Sequence, residues 1–293
     1  MKSNLTKLKT SYVVLVITTL FAVFFSFNAK SSTAFAAELA DVSGNFAEPE
    51  IRMLVAKGIV NGDGKNFFPQ KAVTRAEFVK MLVVALGYGQ DAEEIKNYPG
   101  PFEDADGHWA SGYITTAWEL GIARGQGARF YPDRSLNRAE MVAMIYRAFF
   151  PGESGGDQDT YPLLERFKDV DRIPSWARSH IARAVDNGVV TGTPEGLFEP
   201  ARPATRAEAA KILAQVAARQ GYIYDFFGRA AIEGDDIKSI KIEINGKTEE
   251  FALSGDVAAF RGRTRVSVKE MAGIPVYIIL DGSRRVSYIR SST

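Results

Sequence analysis

Thr74-Arg75-Ala76-Glu77 occurs twice more with little change, as Asn137-Arg138-Ala139-Glu140 and as Thr205-Arg206-Ala207-Glu208. A Thr or Asn followed three residues later by Glu, just ahead of an apolar run, is typical of the capping box that begins an α-helix. Apolar residues follow each copy at helical spacing, and those that follow the first copy are Phe78, Met81, Leu82 and Ala85. The sequence therefore predicts three amphipathic helices that begin at the three arginines.

The arginine of each copy needs a separate explanation, because the dipole at the start of a helix disfavours a cation. A guanidinium beside a helix N-terminus is a suitable receptor for a carboxylate or a phosphate. Its recurrence in one register predicts anion binding at Arg75, Arg138 and Arg206. The alternative is that each arginine pairs with an acidic residue of its own fold.

The three arginines are separated by 63 and 68 residues, which indicates an internal repeat. A second amphipathic helix precedes each capped one. A glycine follows that helix where a left-handed C-terminal cap is expected, at Gly58, Gly121 and Gly188. An aromatic residue lies just ahead of the first apolar position of this preceding helix, at Phe46, Trp109 and Trp176. Each unit is therefore predicted as a helix, a glycine-hinged loop and a second helix.

These units resemble S-layer homology (SLH) domains. In the second unit the resemblance rests on Phe102-Glu103-Asp104, His108-Trp109-Ala110, Gly121–Gly125, Phe130–Asp133 and Asn137–Glu140. The third unit repeats it with Phe167–Val170, Trp176-Ala177, Gly188–Gly192, Phe198–Pro200 and Thr205–Glu208. The first unit matches more loosely, because Leu39 and Phe46 stand where the pattern prefers Phe and Trp. The match covers roughly residues 39–220.

The resemblance implies a mainly α fold in which three SLH repeats form a pseudo-threefold spindle with ligand grooves between units. The repeats are expected at residues 37–100, 101–160 and 161–222, with the connector Gly87–Gly100 at the end of the first and a glycine-rich insert at the end of the second. The family anchors exported proteins non-covalently to secondary cell-wall polysaccharide, typically through a pyruvate ketal on a terminal N-acetylmannosamine. The expected partners are therefore this pyruvylated polysaccharide and other S-layer or surface proteins.

Two further sets of residues are expected in the polysaccharide sites, with one member in each unit. An acidic set is assigned either to sugar hydroxyls or to a cap on the first helix, and it comprises Asp41, Asp104 and Asp169. An aromatic set is expected to cover a sugar face, with a purely core role as the alternative, and it comprises Phe46, Trp109 and Trp176.

The loop of each unit contributes a pair of residues, which are Asn61-Gly62, Arg124-Gly125 and Thr191-Gly192. The first residue differs between units and is expected to tune each groove, while the glycine forms a turn and lets a ligand approach the backbone. Because Phe46 replaces Trp, unit one is expected to be the weakest, so that Arg75 matters less for wall binding than Arg138 or Arg206.

Residues 1–36 are predicted to be a signal peptide, with basic residues before the apolar stretch Tyr12–Phe27 and the cleavage pattern Ala34-Phe35-Ala36. That stretch is shorter than the roughly 20 residues of a spanning helix, so cleavage is expected rather than an uncleaved membrane anchor. The mature chain would carry 32 basic and 35 acidic residues, which gives no reason to expect nucleic acid as a partner. The predicted location is the cell wall or S-layer surface of a bacterium.

Residues 228–293 change to a strand-like alternation, with Ile240, Ile242 and Ile244 leading into the hairpin signal Asn245-Gly246. Asp281-Gly282 gives a second turn, and five or six short strands predict a small all-β, barrel-like domain. With two histidines and no cysteine, no nucleophile or zinc pattern is formed, which favours a binding protein without cofactor, metal or catalytic residues. The alternative is an accessory wall-remodelling enzyme with a carboxylate site in this terminal domain.

Overall fold

The computed structural model describes residues 39–152, 162–234 and 237–292. The predicted signal peptide and most of the glycine-rich insert lie outside these residues. The helices are α1 Glu48–Ala56, α2 Arg75–Ala85, α3 Gly89–Ile95, α4 Ser111–Glu119, α5 Arg138–Phe149, α6 Ser175–Asp186 and α7 Arg206–Arg219. The strands are β1 Phe226–Ala231, β2 Ser239–Ile244, β3 Lys247–Arg261, β4 Thr264–Val266, β5 Pro275–Leu280 and β6 Val286–Ser291.

The local predictions for the helix ends are confirmed. In α2 the Thr74 side chain accepts from the N–H of Glu77, whose carboxylate accepts from the N–H of Thr74. Asn137 and Thr205 form the same reciprocal pair at the starts of α5 and α7. The glycines that follow α1, α4 and α6 have φ of 73°, 70° and 63°, the left-handed conformation of a helix C-cap.

Main-chain hydrogen bonds join the three units in a ring at the centre of the repeats. Val73 donates to the carbonyl of Ala204, Leu136 to that of Val73, and Ala204 to that of Leu136, each at 2.9 Å. All three side chains are fully buried. The loop ahead of each capped helix therefore pairs with the loops of both other units, which is the pseudo-threefold arrangement implied by the resemblance.

Helix α3 lies in the segment between units one and two, where the sequence predicted only a connector. It packs on α4, where a Cβ added to Gly112 would lie 1.8 Å from the carbonyl oxygen of Ala92. The hydroxyl of Tyr113 donates to Glu93 Oε1 at 2.7 Å. The helix is seven residues long and buries only Ala92, so its sequence carries little helical periodicity.

The terminal strands form a closed circuit in the order β1, β2, β3, β6 and β5, and β4 pairs only with β3. All pairings are antiparallel except that of β3 with β6. The predicted hairpin is confirmed, with Asn245 and Gly246 at φ 51° and 75°. A mainly α fold is therefore confirmed for the repeats alone, because this terminal β module (residues 226–291) makes the whole an α plus β structure.

Gly125→Ala is expected to destabilise the protein by about 1–3 kcal/mol, because it overpacks a filled site. The new Cβ would lie 2.3 Å from Phe102 Cε1 and 2.5 Å from the carbonyl oxygen of Arg129. Gly255→Ala is the control, since nothing lies within 4 Å of its Cβ position. Urea unfolding of both variants measures the difference in stability, and equal midpoints would contradict the close packing around Gly125.

Candidate functional site

Two grooves between the units are each built from all three units. The first, of about 340 Å³, is lined by Arg75 of unit one, Arg124 and Glu140 of unit two, and Trp176 of unit three. Its construction explains why residues so far apart in sequence can act together. No single repeat supplies all of its walls.

The second groove, of about 300 Å³, is lined by Arg138 of unit two, Thr191 and Glu208 of unit three, and Phe46 of unit one. Phe46 therefore belongs with Arg138, and Trp176 belongs with Arg75. Phe46 was expected to weaken the site of Arg75, because both residues belong to unit one. That expectation is wrong, since Phe46 lines the groove of Arg138.

The third junction follows the same rotation. Arg206 of unit three contacts Asn61 and Glu77 of unit one. Lys80 of α2 lies 5.9 Å from the ring centroid of Trp109, the aromatic residue of unit two. The predicted site residues are thus brought together in three sets. Each set combines the arginine of one unit, the loop of the next unit and the aromatic residue of the remaining unit.

Arg75 and Arg206 are tightly bound within the fold. Arg75 donates from Nε to the carbonyl of Phe130 and from Nη2 to that of Arg124, both at 2.9 Å, and from Nη1 to Glu140 Oε1 at 3.2 Å. Arg206 makes the equivalent bonds to Phe67 (2.9 Å), Asn61 (3.0 Å) and Glu77 (3.5 Å). The alternative interpretation therefore holds for these two, with the partners in the next unit.

Arg138 lies in the same position but lacks those bonds. Its side chain is only 8% exposed, and its Nε has no hydrogen-bond partner among the described residues. The guanidinium carbon lies 5.3 Å from the ring centroid of Phe198, against 4.4 Å from Phe130 for Arg75. Glu208, the equivalent of Glu140, is held instead by Arg202 at 2.6 and 3.1 Å.

Burial lowers the pKa of all three arginines, and a glutamate of the next unit opposes the shift in each case. The guanidinium remains charged at any relevant pH. A buried cation without its hydrogen bonds is costly, so Arg138 carries an unmet demand for an acceptor that Arg75 and Arg206 do not.

The N–H groups at the helix starts are already used by the fold. In α5 those of Arg138 and Ala139 donate to the carbonyls of Arg202 and Pro200, and that of Glu140 donates to Asn137. The corresponding groups of α2 and α7 have equivalent partners. The prediction that these N–H groups receive the anion is therefore wrong. At the start of α5 the free donor capacity lies in the guanidinium of Arg138.

The acidic set clamps the loops rather than capping the first helices. Asp41, Asp104 and Asp169 each accept two backbone N–H groups, at 2.7–2.8 Å. The second donor of each pair has a left-handed backbone, at Phe68, Tyr131 and Glu199 with φ of 59°, 60° and 59°. No side chain caps α1, α4 or α6, so the capping interpretation is wrong. A sugar contact would use the remaining lone pairs.

The loop glycines are required by close packing inside each unit. A Cβ would lie 2.2 Å from the carbonyl oxygen of Asn66 at Gly62, 2.3 Å from Phe102 Cε1 at Gly125 and 2.5 Å from Phe167 Cε1 at Gly192. Gly192 also has φ of 83°. These glycines hold each loop close against Leu39, Phe102 or Phe167 of its own unit, and in units one and two they thereby fix the carbonyls of Asn61 and Arg124 that receive the arginines.

Several groove residues were missed because they lie outside the capping-box and loop motifs. In the first groove Arg147 donates from Nε to His180 Nε2 at 3.1 Å, and Arg134 lies 2.5 Å from Glu140. In the second, Lys211 lies 5.4 Å from the ring centroid of Phe46. Burial, with the charge of Arg147 next, lowers the pKa of His180 to about 4. Both grooves therefore carry an excess of positive charge.

The described residues contain no cluster of three or more His, Cys, Asp or Glu side chains that could bind a metal ion. In the same ranges, no helix combines the length and the apolarity needed to cross a bilayer.

Comparison with known proteins identifies three matches to the S-layer homology domain, at residues 38–79, 101–142 and 166–210. The chain is 34% identical over 175 residues to the exoglucanase XynX of Acetivibrio thermocellus, covering 59% of this chain and 16% of that protein. It is 30% identical over 167 residues to an S-layer protein of Bacillus thuringiensis subsp. finitimus, covering 56% and 19%. With the S-layer protein sap of Bacillus anthracis it shares 28% over 229 residues, covering 75% and 26%.

Arg75→Ala is expected to destabilise the protein by about 3 kcal/mol or more, because it removes a buried guanidinium and leaves the carbonyls of Phe130 and Arg124 without their donor. Arg138→Ala is expected to cost only about 1 kcal/mol, since packing alone is lost. Urea unfolding compares the two. Equal losses would show that Arg138 is also a structural bond between units.

Lowering the pH from about 6.5 to about 4 is expected to destabilise the protein partly through His180. The folded pKa of about 4 lies below the ordinary 6.5, so the unfolded chain binds a proton in this window that the folded chain does not. The free energy of unfolding therefore falls as the pH falls. His180→Gln should flatten this part of the profile, with pH 8 as the reference for packing effects. An unchanged slope would contradict the burial of a neutral imidazole.

Proposed function

We propose that this chain, an S-layer homology domain protein, anchors itself by binding pyruvylated secondary cell-wall polysaccharide in the grooves between its repeats. The three domains and the S-layer relatives make it a secreted protein of the bacterial cell wall or S-layer surface. The chain spans 16%, 19% and 26% of the three relatives described above, so its ligand is argued from its own grooves.

The observation that carries the proposal is that Arg138 lines a groove and, within the described part of the chain, makes none of the side-chain hydrogen bonds that hold Arg75 and Arg206, its Nε included. A pyruvyl ketal places a carboxylate in a fixed position on a sugar ring. Such a carboxylate accepts charge-assisted hydrogen bonds from a planar guanidinium better than a sugar hydroxyl does. The ligand would therefore supply the acceptor that Glu140 supplies to Arg75.

The other walls of this groove suit the sugar that carries the carboxylate. The ring of Phe46 is 47% exposed and offers an apolar surface for a sugar face. Lys211 beside it adds a second cation. An acidic sugar would thus meet charge and an aromatic surface at once.

The groove of Arg75 and the junction of Arg206 are assigned a supporting part. Their central arginines are committed to the next unit, so a ligand there would depend on peripheral cations such as Arg124 and Arg147, or Lys80. Weak sites on one body that faces a polymer still increase retention through effective concentration.

Arg138→Ala is expected to weaken binding at least about tenfold, because a hydrogen bond to a charged group contributes about 1.5–3 kcal/mol. Calorimetry with the methyl glycoside of pyruvylated N-acetylmannosamine measures the affinity. Arg172→Ala removes the same charge from an exposed site in unit three and serves as the control.

Co-sedimentation with isolated walls tests the polymer itself. Mild acid removal of pyruvate should release the chain from the walls, while no sugar should be released from untreated walls. Retention on acid-treated walls would refute the carboxylate mechanism. Release of reducing sugar would favour the alternative, an accessory wall-remodelling enzyme.

A further inference from the structure

The terminal β module meets the helical repeats beside the groove of Arg138. Arg263, in the turn between β3 and β4, donates from Nη1 to Glu50 Oε1 at 2.9 Å and from Nη2 to Glu50 Oε2 at 3.1 Å. Its Nη2 also donates to the carbonyl of Phe46. One side chain of the module thus holds both the start of α1 and the residue that lines the groove.

A buried apolar contact supports this ion pair. Phe260, Ile279 and Tyr288 of the module belong to the same continuous core as the helices. Strands β5 and β6 pack against α1, and Lys57 Nζ lies 2.6 Å from Asp225 Oδ1 at the edge. The module therefore packs firmly on unit one, instead of hanging from the repeats on a linker.

Glu50 transmits this contact into the groove. Its side chain is only 1% exposed, and its Oε1, which accepts from Arg263 Nη1, also accepts from Gln215 Nε2 at 3.5 Å. Gln215, Lys211 and Phe46 all line the groove of Arg138. A buried carboxylate that loses its cation must move or admit water, and either response would disturb this wall.

The same position of the first helix is braced in every unit, but by a different element. Glu50, Tyr113 and His180 each precede the first apolar position of that helix by one residue. Tyr113 donates to Glu93 of α3, and His180 accepts from Arg147 of α5. Unit one alone uses a residue from the terminal module, which indicates that the module takes the part that α3 and α5 play elsewhere.

We infer that Arg263 is a positioning residue for the Arg138 groove, which makes the terminal module a component of ligand binding rather than a displayed domain. Through Glu50 and the Phe46 carbonyl it fixes the wall that faces the guanidinium. The inference rests on the proposed function for the identity of the ligand, whereas the bracing itself is a property of the fold.

The test is a double-mutant cycle on the full chain, with the methyl glycoside of pyruvylated N-acetylmannosamine as the probe. Arg263→Ala should weaken binding about five- to tenfold, as expected for residues coupled through a shared cavity, and should have no further effect when Arg138 is already Ala. Arg263→Lys keeps the charge but cannot span all three acceptors, so a loss of about two- to threefold is expected. Arg261→Ala, in the same hairpin and exposed, should bind as the parent does.

Hydrogen exchange of the segment 45–56 provides a readout that does not need the ligand. Arg263→Ala should speed exchange there and leave α5 unchanged. If Arg263→Ala does not fold, Arg263→Lys carries both measurements. Unchanged affinity, or a loss of equal size with Arg138 present and absent, would overturn the inference. If the parent chain does not bind the probe, the proposed function fails, and faster exchange would support the bracing while unchanged exchange would overturn it.

Discussion

The repeats depend on hydrogen bonds that each capped helix donates to the loop of the next unit. The first N–H groups of a helix have no partner within it, and burying them unpaired costs about 1–3 kcal/mol each. Here Arg75 and Ala76 donate to the carbonyls of Arg134 and Pro132, and the pattern passes from unit to unit until it closes. A single unit would leave these groups to water, and the grooves, whose walls come from all three units, would not form.

The guanidiniums reinforce this ring unequally, and one neighbouring residue explains the difference. Four residues before the arginine, unit one has Lys71, unit two has Arg134 and unit three has Arg202. Lys71 lies 3.9 Å from Glu77 and leaves that carboxylate to Arg206, and Arg134 binds only Oε1 of Glu140, which Arg75 shares. Arg202, in contrast, binds both oxygens of Glu208. Arg138 is thereby deprived of an acceptor. A repeat that is regular in sequence becomes asymmetric in chemistry through the reach of one side chain.

The sequence predicted what short-range geometry decides, and failed where distant segments meet. The capping boxes, the left-handed glycines and the Asn245-Gly246 turn follow from residues within a few positions of each other, and all are present. The partnership of Phe46 with Arg138, and the contact of Arg263 with Glu50, join residues that no local period relates. The role of Asp104 in clamping a loop was missed for the same reason, because the N–H group that it accepts from belongs to Phe130, 26 residues along the chain.

Stability and binding use the same groups at these grooves, which limits where a ligand can act. A ligand that took Arg75 or Arg206 from its carbonyls would have to replace about three hydrogen bonds between units, and would gain little net free energy. A ligand at Arg138 displaces no such bond, because this guanidinium makes none of them with the described residues. Binding there would therefore add to the stability of the ring by linkage, because only the assembled units present the site. The groove whose arginine contributes least to holding the repeats together is, for that reason, the one to which we assign wall binding.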